Sequence, residues 1–167
     1  MTRERPLGAS ASVASVDPVR IAIGSDHAGF GLKEQVAPIL ESAGHEVIDV
    51  GTNSDESVDY AQFAAPAARM VATGEAERAV VVCGSGVGVS IVANKVEGVR
   101  AVNAHDAEEA EMSRRHNDAN VLALAGRRLE PGTAREIVER FLETEFEGGR
   151  HERRVDQIGA VERGETP

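Results

Sequence analysis

The stretch Glu77–Gly88, ERAVVVCGSGVG, decides how this chain folds. Its aliphatic run, Ala79 to Val82, has no polar partner at alternate positions, so it reads as a strand buried on both faces, as in parallel sheets. A turn with glycine at every second position follows, and GVGVSIVANKVEG then reads as a short helix. The chain's single cysteine, Cys83, stands at the exit of the strand rather than within it, where a merely packing thiol would lie.

The same alternation runs outward in both directions. VRIAIGS reads as a strand, GLKEQVAPILESAG as an amphipathic helix ending at Gly44, and HEVIDVG as a second strand. DYAQFAAPAARMVATGEA is helical, with Pro66 in its first two turns. After the short helix come VRAVNAHD (strand), DAEEAEMSRRHND (helix) and ANVLALAG (strand). EPGTAREIVERFLETEFEGG opens with a turn and continues as a long helix, and HERRVDQIGAVERGETP closes the chain as a basic helix with a frayed end. Strand and helix alternating at short intervals predict an α/β fold: a doubly wound, mainly parallel five-stranded sheet with helices on both faces and a C-terminal helix.

Length and charge narrow what such a fold serves. The 167 residues suit one domain, expected over residues 19–162, with residues 1–18 a disordered small-residue tail and 163–167 a frayed C-terminus. A net charge of -10 and an aromatic content of 3% argue against nucleic acid and anionic membranes as partners. No apolar run approaches a membrane span and the N-terminus lacks a secretory core, so a soluble cytoplasmic protein acting on a small molecule is expected.

In doubly wound sheets ligands bind beyond the carboxyl ends of the strands, which directs attention to five loops. In CGSGVG, the glycines free backbone N–H groups to converge on an oxyanion, and Cys83 at their edge could act as nucleophile or base with Ser85 beside it. An inert packing turn and a dinucleotide loop compete with that reading, the latter because Asp106 follows about 20 residues on. The G-x-G-x-G spacing and a following helix of about two to three turns disfavour the dinucleotide. GSDHAGF sets Asp26 and His27 side by side at a strand exit, where Asp26 is also a candidate helix N-cap. RRHNDAN puts His116 and Asn117 where a helix ends; a lone histidine there is more often a helix C-cap partner than a catalyst. Arg127 follows the fifth strand, and GGRHERR spaces Arg150 and Arg154 i, i+4, so that on a helix they share one face, which could clamp a phosphate or simply be a solvated basic face offsetting neighbouring glutamates. His45 and His105 have no partners at ligand spacing, so no metal is expected.

Taken together, GSDHAGFGLKE, VIDVGT, DYAQFA, CGSGVGVSIVANKVEGVRAV, SRRHNDANVLALAGR and EFEGGRHERRV resemble, in order, the ribose-5-phosphate isomerase type B family, which includes galactose-6-phosphate isomerase subunits. The resemblance implies a Rossmann-like sheet that binds no nucleotide, needs no cofactor, and interconverts an aldose and a ketose phosphate through a cis-enediolate. It implies Cys83 as the base between C1 and C2, Ser85 as its hydroxyl support, and the turn Gly84, Ser85, Gly86, Val87, Gly88 as the oxyanion cradle. It further implies His116 as the residue opening the furanose ring, with Asp26 assisting. Tyr60 and Asn117 would contact the sugar, and His27, Arg127, Arg150 and Arg154 the phosphate. The family's sites are completed across a homodimer, with a tetramer as the larger alternative. Two features depart from parts of the family: Val89 stands where one subgroup carries a glutamate base, and Ala61 follows Tyr60 where many members have proline.

Overall fold

The computed structural model describes residues 17–167. Most of the expected N-terminal tail lies outside those residues; Asp17 and Pro18 are described, without regular secondary structure. The elements follow the order β1 (Arg20–Ser25), α1 (Phe30–Ser42), β2 (Glu46–Asp49), α2 (Ala61–Thr73), β3 (Arg78–Cys83), α3 (Val87–Ala93), β4 (Ala101–Asn103), α4 (Ala107–Asn117), β5 (Val121–Ala125), α5 (Pro131–Glu143) and α6 (Arg150–Glu162). The five strands form one sheet in the order β2-β1-β3-β5-β4, and every pairing is parallel. The expected mainly parallel sheet is thus wholly parallel.

Strand residues divide between the two faces, with the alanines on one of them. Ile21, Ile23, Val80, Val82, Leu122 and Leu124 pack toward α1, α4 and α5, whose Leu32, Val36, Leu40, Ala110, Ile137 and Phe141 complete that core. Ala22, Ala79, Val81, Val121 and Ala123 face the other way, onto the alanine-rich α2 and onto α3. Small residues on that face let α2 approach closely: a Cβ added to Gly24 would lie 2.6 Å from the Phe63 carbonyl oxygen. Cys83 belongs to this second face, at the carboxyl end of the central strand.

Two local expectations change. The helix expected through Glu130–Gly149 ends at Glu143, because the buried Arg114 guanidinium takes the Thr144 carbonyl at 3.2 Å and draws the chain out of helical register. The segment beyond runs beside α4, where Glu147 N–H donates to the Arg115 carbonyl at 3.1 Å, and turns back through Gly148 and Gly149 at φ +66° and +56° into α6. Those two positive-φ positions are where glycine is required. Second, the N-cap of α1 is Gly29 rather than Asp26; the Asp26 carboxylate accepts the Gly29 N–H at 2.9 Å and shapes the preceding turn.

Candidate active site

β1 and β3 are adjacent, yet their following loops lead to opposite layers of helices: β1 into α1, β3 into α3. The loops part and leave a crevice at the switch point, as the topology requires. A cavity of about 380 Å³ lies there. It is lined by Asp26 and His27 from the β1 exit, Tyr60 from the start of α2, and Cys83, Gly84, Ser85 and Gly88 from the β3 exit. Arg127 and Arg128, after β5, close its rim.

The crevice is held by backbone contacts between strand ends. Asp26 N–H donates to Val82 O, Gly126 N–H to Cys83 O at 2.7 Å, and Arg127 N–H to Gly84 O at 3.1 Å. The amide of Gly126 approaches so closely that a Cβ there would meet Ala28 O at 2.8 Å. The β1, β3 and β5 exits therefore form one stitched rim. Arg127 lays its side chain along Gly84, with Cδ 3.2 Å from where a Cβ would stand.

Cys83 is 4% exposed and unpaired, its backbone ending β3 and its sulfur on the α2–α3 side. The turn after it carries Gly86 at φ +74° as the N-cap of α3, with Ser85 Oγ accepting the Val87 N–H at 3.3 Å. Asn103, at the end of β4, buttresses this turn: its Nδ2 donates to Ser85 O at 3.2 Å, and its side chain fills the space a Cβ on Gly86 would need. Its Oδ1 is buried and finds no hydrogen-bond partner among the described residues. Nothing in the sequence pattern marks Asn103, since it contacts the turn only through the β3-β5-β4 strand order.

His27 Nδ1 lies 3.1 Å from the Val58 amide nitrogen and 3.2 Å from the Val58 carbonyl oxygen, so the Val58 backbone anchors this cavity-lining ring.

The other predicted site residues lie elsewhere on the chain. His116 stacks on His151, ring centroids 4.1 Å apart and planes 8° from parallel. Glu147 faces both rings, 3.9 Å from His116 Nε2 and 4.0 Å from His151 Nε2, and is gripped by Arg115 at 2.9 Å, which holds its carboxyl below the usual range. Arg150 and Arg154, both exposed on α6, flank this cluster. Asn117 is exposed and lines a separate cavity of about 490 Å³ with Arg100, Ile158 and Val161. A single chain therefore gathers Asp26, His27, Tyr60, Cys83, Gly84, Ser85, Gly88 and Arg127 in one crevice, and sets His116, Asn117, Arg150 and Arg154 outside its lining. Gly86 and Val87 belong to the turn but not to the cavity wall.

Among the described residues, His116, Glu147 and His151 also bring three metal-ligating atoms within 4.8 Å of one another. Their geometry does not suit an ion: imidazole lone pairs lie in the ring planes, and two stacked, near-parallel rings give no point common to both planes. Arg115 already occupies one oxygen of the carboxylate, Oε2.

Fold and site together define a parallel α/β protein with a strand-exit crevice that sets a cysteine beside a glycine turn. The chain belongs to the ribose/galactose isomerase family, whose model matches residues 21–158. It is 46% identical over 143 residues to ribose-5-phosphate isomerase B of Escherichia coli, covering 86% of this chain and 96% of that one. It is 38% identical over 146 residues to D-erythrulose-4-phosphate isomerase of Pectobacterium atrosepticum, covering 87% of this chain and 96% of that protein. Among solved structures, ribose-5-phosphate isomerase B of Clostridium thermocellum superposes with a TM-score of 0.86 at 49% identity, over 87% of this chain and 98% of the other. Among the described residues no helix is long and apolar enough to cross a membrane.

Proposed function

We propose that this enzyme interconverts D-ribose 5-phosphate and D-ribulose 5-phosphate through a cis-enediolate, as a cytoplasmic homodimer whose sites form between subunits. The observation that carries the chemistry is the Cys83 thiol set in the crevice beside a turn of glycine amides. Abstracting a proton next to a carbonyl needs a base at the carbon and donors for the oxygen that becomes negative. Cys83 takes a proton from C2 of the open-chain aldose, the C2 electrons form the C1–C2 double bond, and the carbonyl electrons settle on O1 against the turn amides. The same thiol then returns the proton to C1 while the O2 hydroxyl proton passes to O1, which leaves the ketone at C2 and a hydroxyl at C1. The thiol moves a proton and forms no covalent bond to the sugar, and the substrate's own carbonyl is the electron sink, so no cofactor is called for.

Before this, the furanose must open. His116 gives a proton to O4 as the C1–O4 bond breaks, and Asp26 receives the proton leaving O1. Tyr60 and Asn117 contact the sugar, and His27, Arg127, Arg150 and Arg154 hold the phosphate. That set can act together only if a second copy brings its α4 end and α6 to the crevice, since on one chain His116 and the α6 arginines lie outside it. Arg128, on the rim beside Arg127, joins the cationic side of the pocket.

The test is a screen of four-, five- and six-carbon aldose phosphates for isomerisation, compared by kcat/KM. Ribose 5-phosphate should lead by at least about tenfold. Preference for a tetrose or hexose phosphate would replace this substrate with that one. Tight binding without turnover of any would reject the enzymatic reading.

A further inference from the structure

The cluster around His116 holds a residue to which neither the isomerisation chemistry nor the phosphate contacts give a role. His151 is 3% exposed, although its neighbours on α6, Arg150 and Glu152, are exposed. The turn through Gly148 and Gly149, both at positive φ, reverses the chain and lays the His151 ring on His116. His151 N–H donates to Gly148 O at 3.0 Å, and Arg150 Nε approaches His151 Nε2 at 3.4 Å, a long contact that uses the ring's lone pair. Burial, with His116 and Arg150 close by, keeps the His151 ring pKa below its ordinary value. The ring is thus a neutral, flat surface anchored from α6, with Glu147 set across the Nε2 edges of both histidines and tied in turn to Arg115 of α4.

A histidine that delivers a proton to a ring oxygen must hold its plane and its reacting nitrogen within a narrow angle. At the end of a helix, with its side chain 27% exposed, His116 has only χ rotations to hold it unless something packs on it. We propose that His151 is a positioning residue for furanose ring opening: its stacked ring, with the Glu147 carboxylate, fixes the plane of His116. This rests on the reading of His116 as the ring-opening residue.

The two halves of the reaction can be separated with the substrates themselves. Ribose 5-phosphate is held as a furanose and must be opened. Ribulose 5-phosphate cannot close a five-membered ring, because its C5 oxygen carries the phosphate, so exchange of its C1 hydrogen with solvent needs Cys83 but no ring opening. The experiment measures, for the full chain and for His151→Ala, His151→Phe and His116→Ala, kcat and KM on ribose 5-phosphate and the rate of deuterium entry at C1 of ribulose 5-phosphate. His151→Ala should lower kcat on ribose 5-phosphate by about 10- to 100-fold while exchange stays within about threefold. His151→Phe, which keeps a flat stacking face, should recover most of the loss. If the alanine chain does not fold, His151→Asn carries the same comparison.

Equal loss on both substrates, or loss expressed only in KM, would overturn the proposal by showing a general or phosphate-binding role. No loss in a folded His151→Ala chain would overturn it as well. His116→Ala separates the two layers of the argument. If that variant shows the furanose-selective loss and His151→Ala does not, the His151 role alone is wrong; if His116→Ala shows none, the ring-opening assignment falls and the His151 role with it.

Discussion

The ring of Tyr60 lies against the backbone of Gly88 so closely that a Cβ at Gly88 would stand 2.8 Å from Tyr60 Cζ and 2.9 Å from Cε2. Glycine at this place in α3 admits an aromatic ring from the start of α2, and the two together form one wall of the Cys83 crevice. Gly88→Ala should push the ring out of the crevice. Tyr60 is 43% exposed, so the ring can swing into solvent at small cost to folding. The expected outcome is a KM for ribose 5-phosphate raised by about tenfold with the melting temperature nearly unchanged. Gly86→Ala is the contrast: its φ of +74° and the Asn103 side chain at the Cβ position make it costly, about 1–3 kcal/mol by chemical denaturation.

The division of the site residues between two regions of the chain gives a complementation test. Cys83→Ala and His116→Ala chains should each be inactive as homodimers. Mixed and allowed to exchange subunits, they should form hybrids in which one of the two sites has both residues intact, recovering about a quarter of the wild-type activity per chain. No recovery, with hybrids shown to form, would mean that Cys83 and His116 serve from the same chain.

Much of this arrangement was legible in the residues. The buried-strand run Ala79–Val82 and the alternation around it identify a parallel α/β sheet, because burial on both faces leaves a different pattern from burial on one. The crevice residues were legible for the same reason: Asp26, His27, Cys83 and Arg127 all stand at strand exits. What local pattern could not reveal is contact across the sheet. The β2-β1-β3-β5-β4 order depends on how crossovers are laid down, and with it the reach of Asn103 under the Gly86 turn. The end of α5 at Glu143 was hidden too, since ETEFE carries ordinary helix formers and only the distant Arg114 guanidinium decides against them. The buried face of His151 follows from a glycine pair that helical spacing alone does not interpret.

His45 supplies a pH-dependent contribution to stability. Its Nδ1 accepts the Val19 N–H at 3.3 Å, and burial lowers its pKa in the folded chain. In the unfolded chain it titrates near its ordinary value of about 6.5, so above that pH the ring is neutral in both states and its contribution is fully present. As pH falls through about 6.5 the unfolded chain takes up the proton first, and stability declines until the folded ring titrates as well. His151, whose pKa is also lowered, adds a decline of the same sign. His45→Gln should therefore flatten, without abolishing, the fall in urea midpoint on going from pH 7.5 to about 5.5. An unchanged slope would show that His45 binds protons equally in both states.

Deuterium entry at C1 of ribulose 5-phosphate measures the proton movement between C1 and C2 assigned to Cys83, without ring opening or product closure. Wild-type chain in deuterium oxide should exchange C1 at a rate comparable to turnover, and Cys83→Ala should lower exchange by about 10²- to 10⁴-fold, with its melting temperature and its binding of ribose 5-phosphate retained. A Cys83→Ala chain that still exchanges C1 within about threefold of wild type would mean that another group of the crevice is the base.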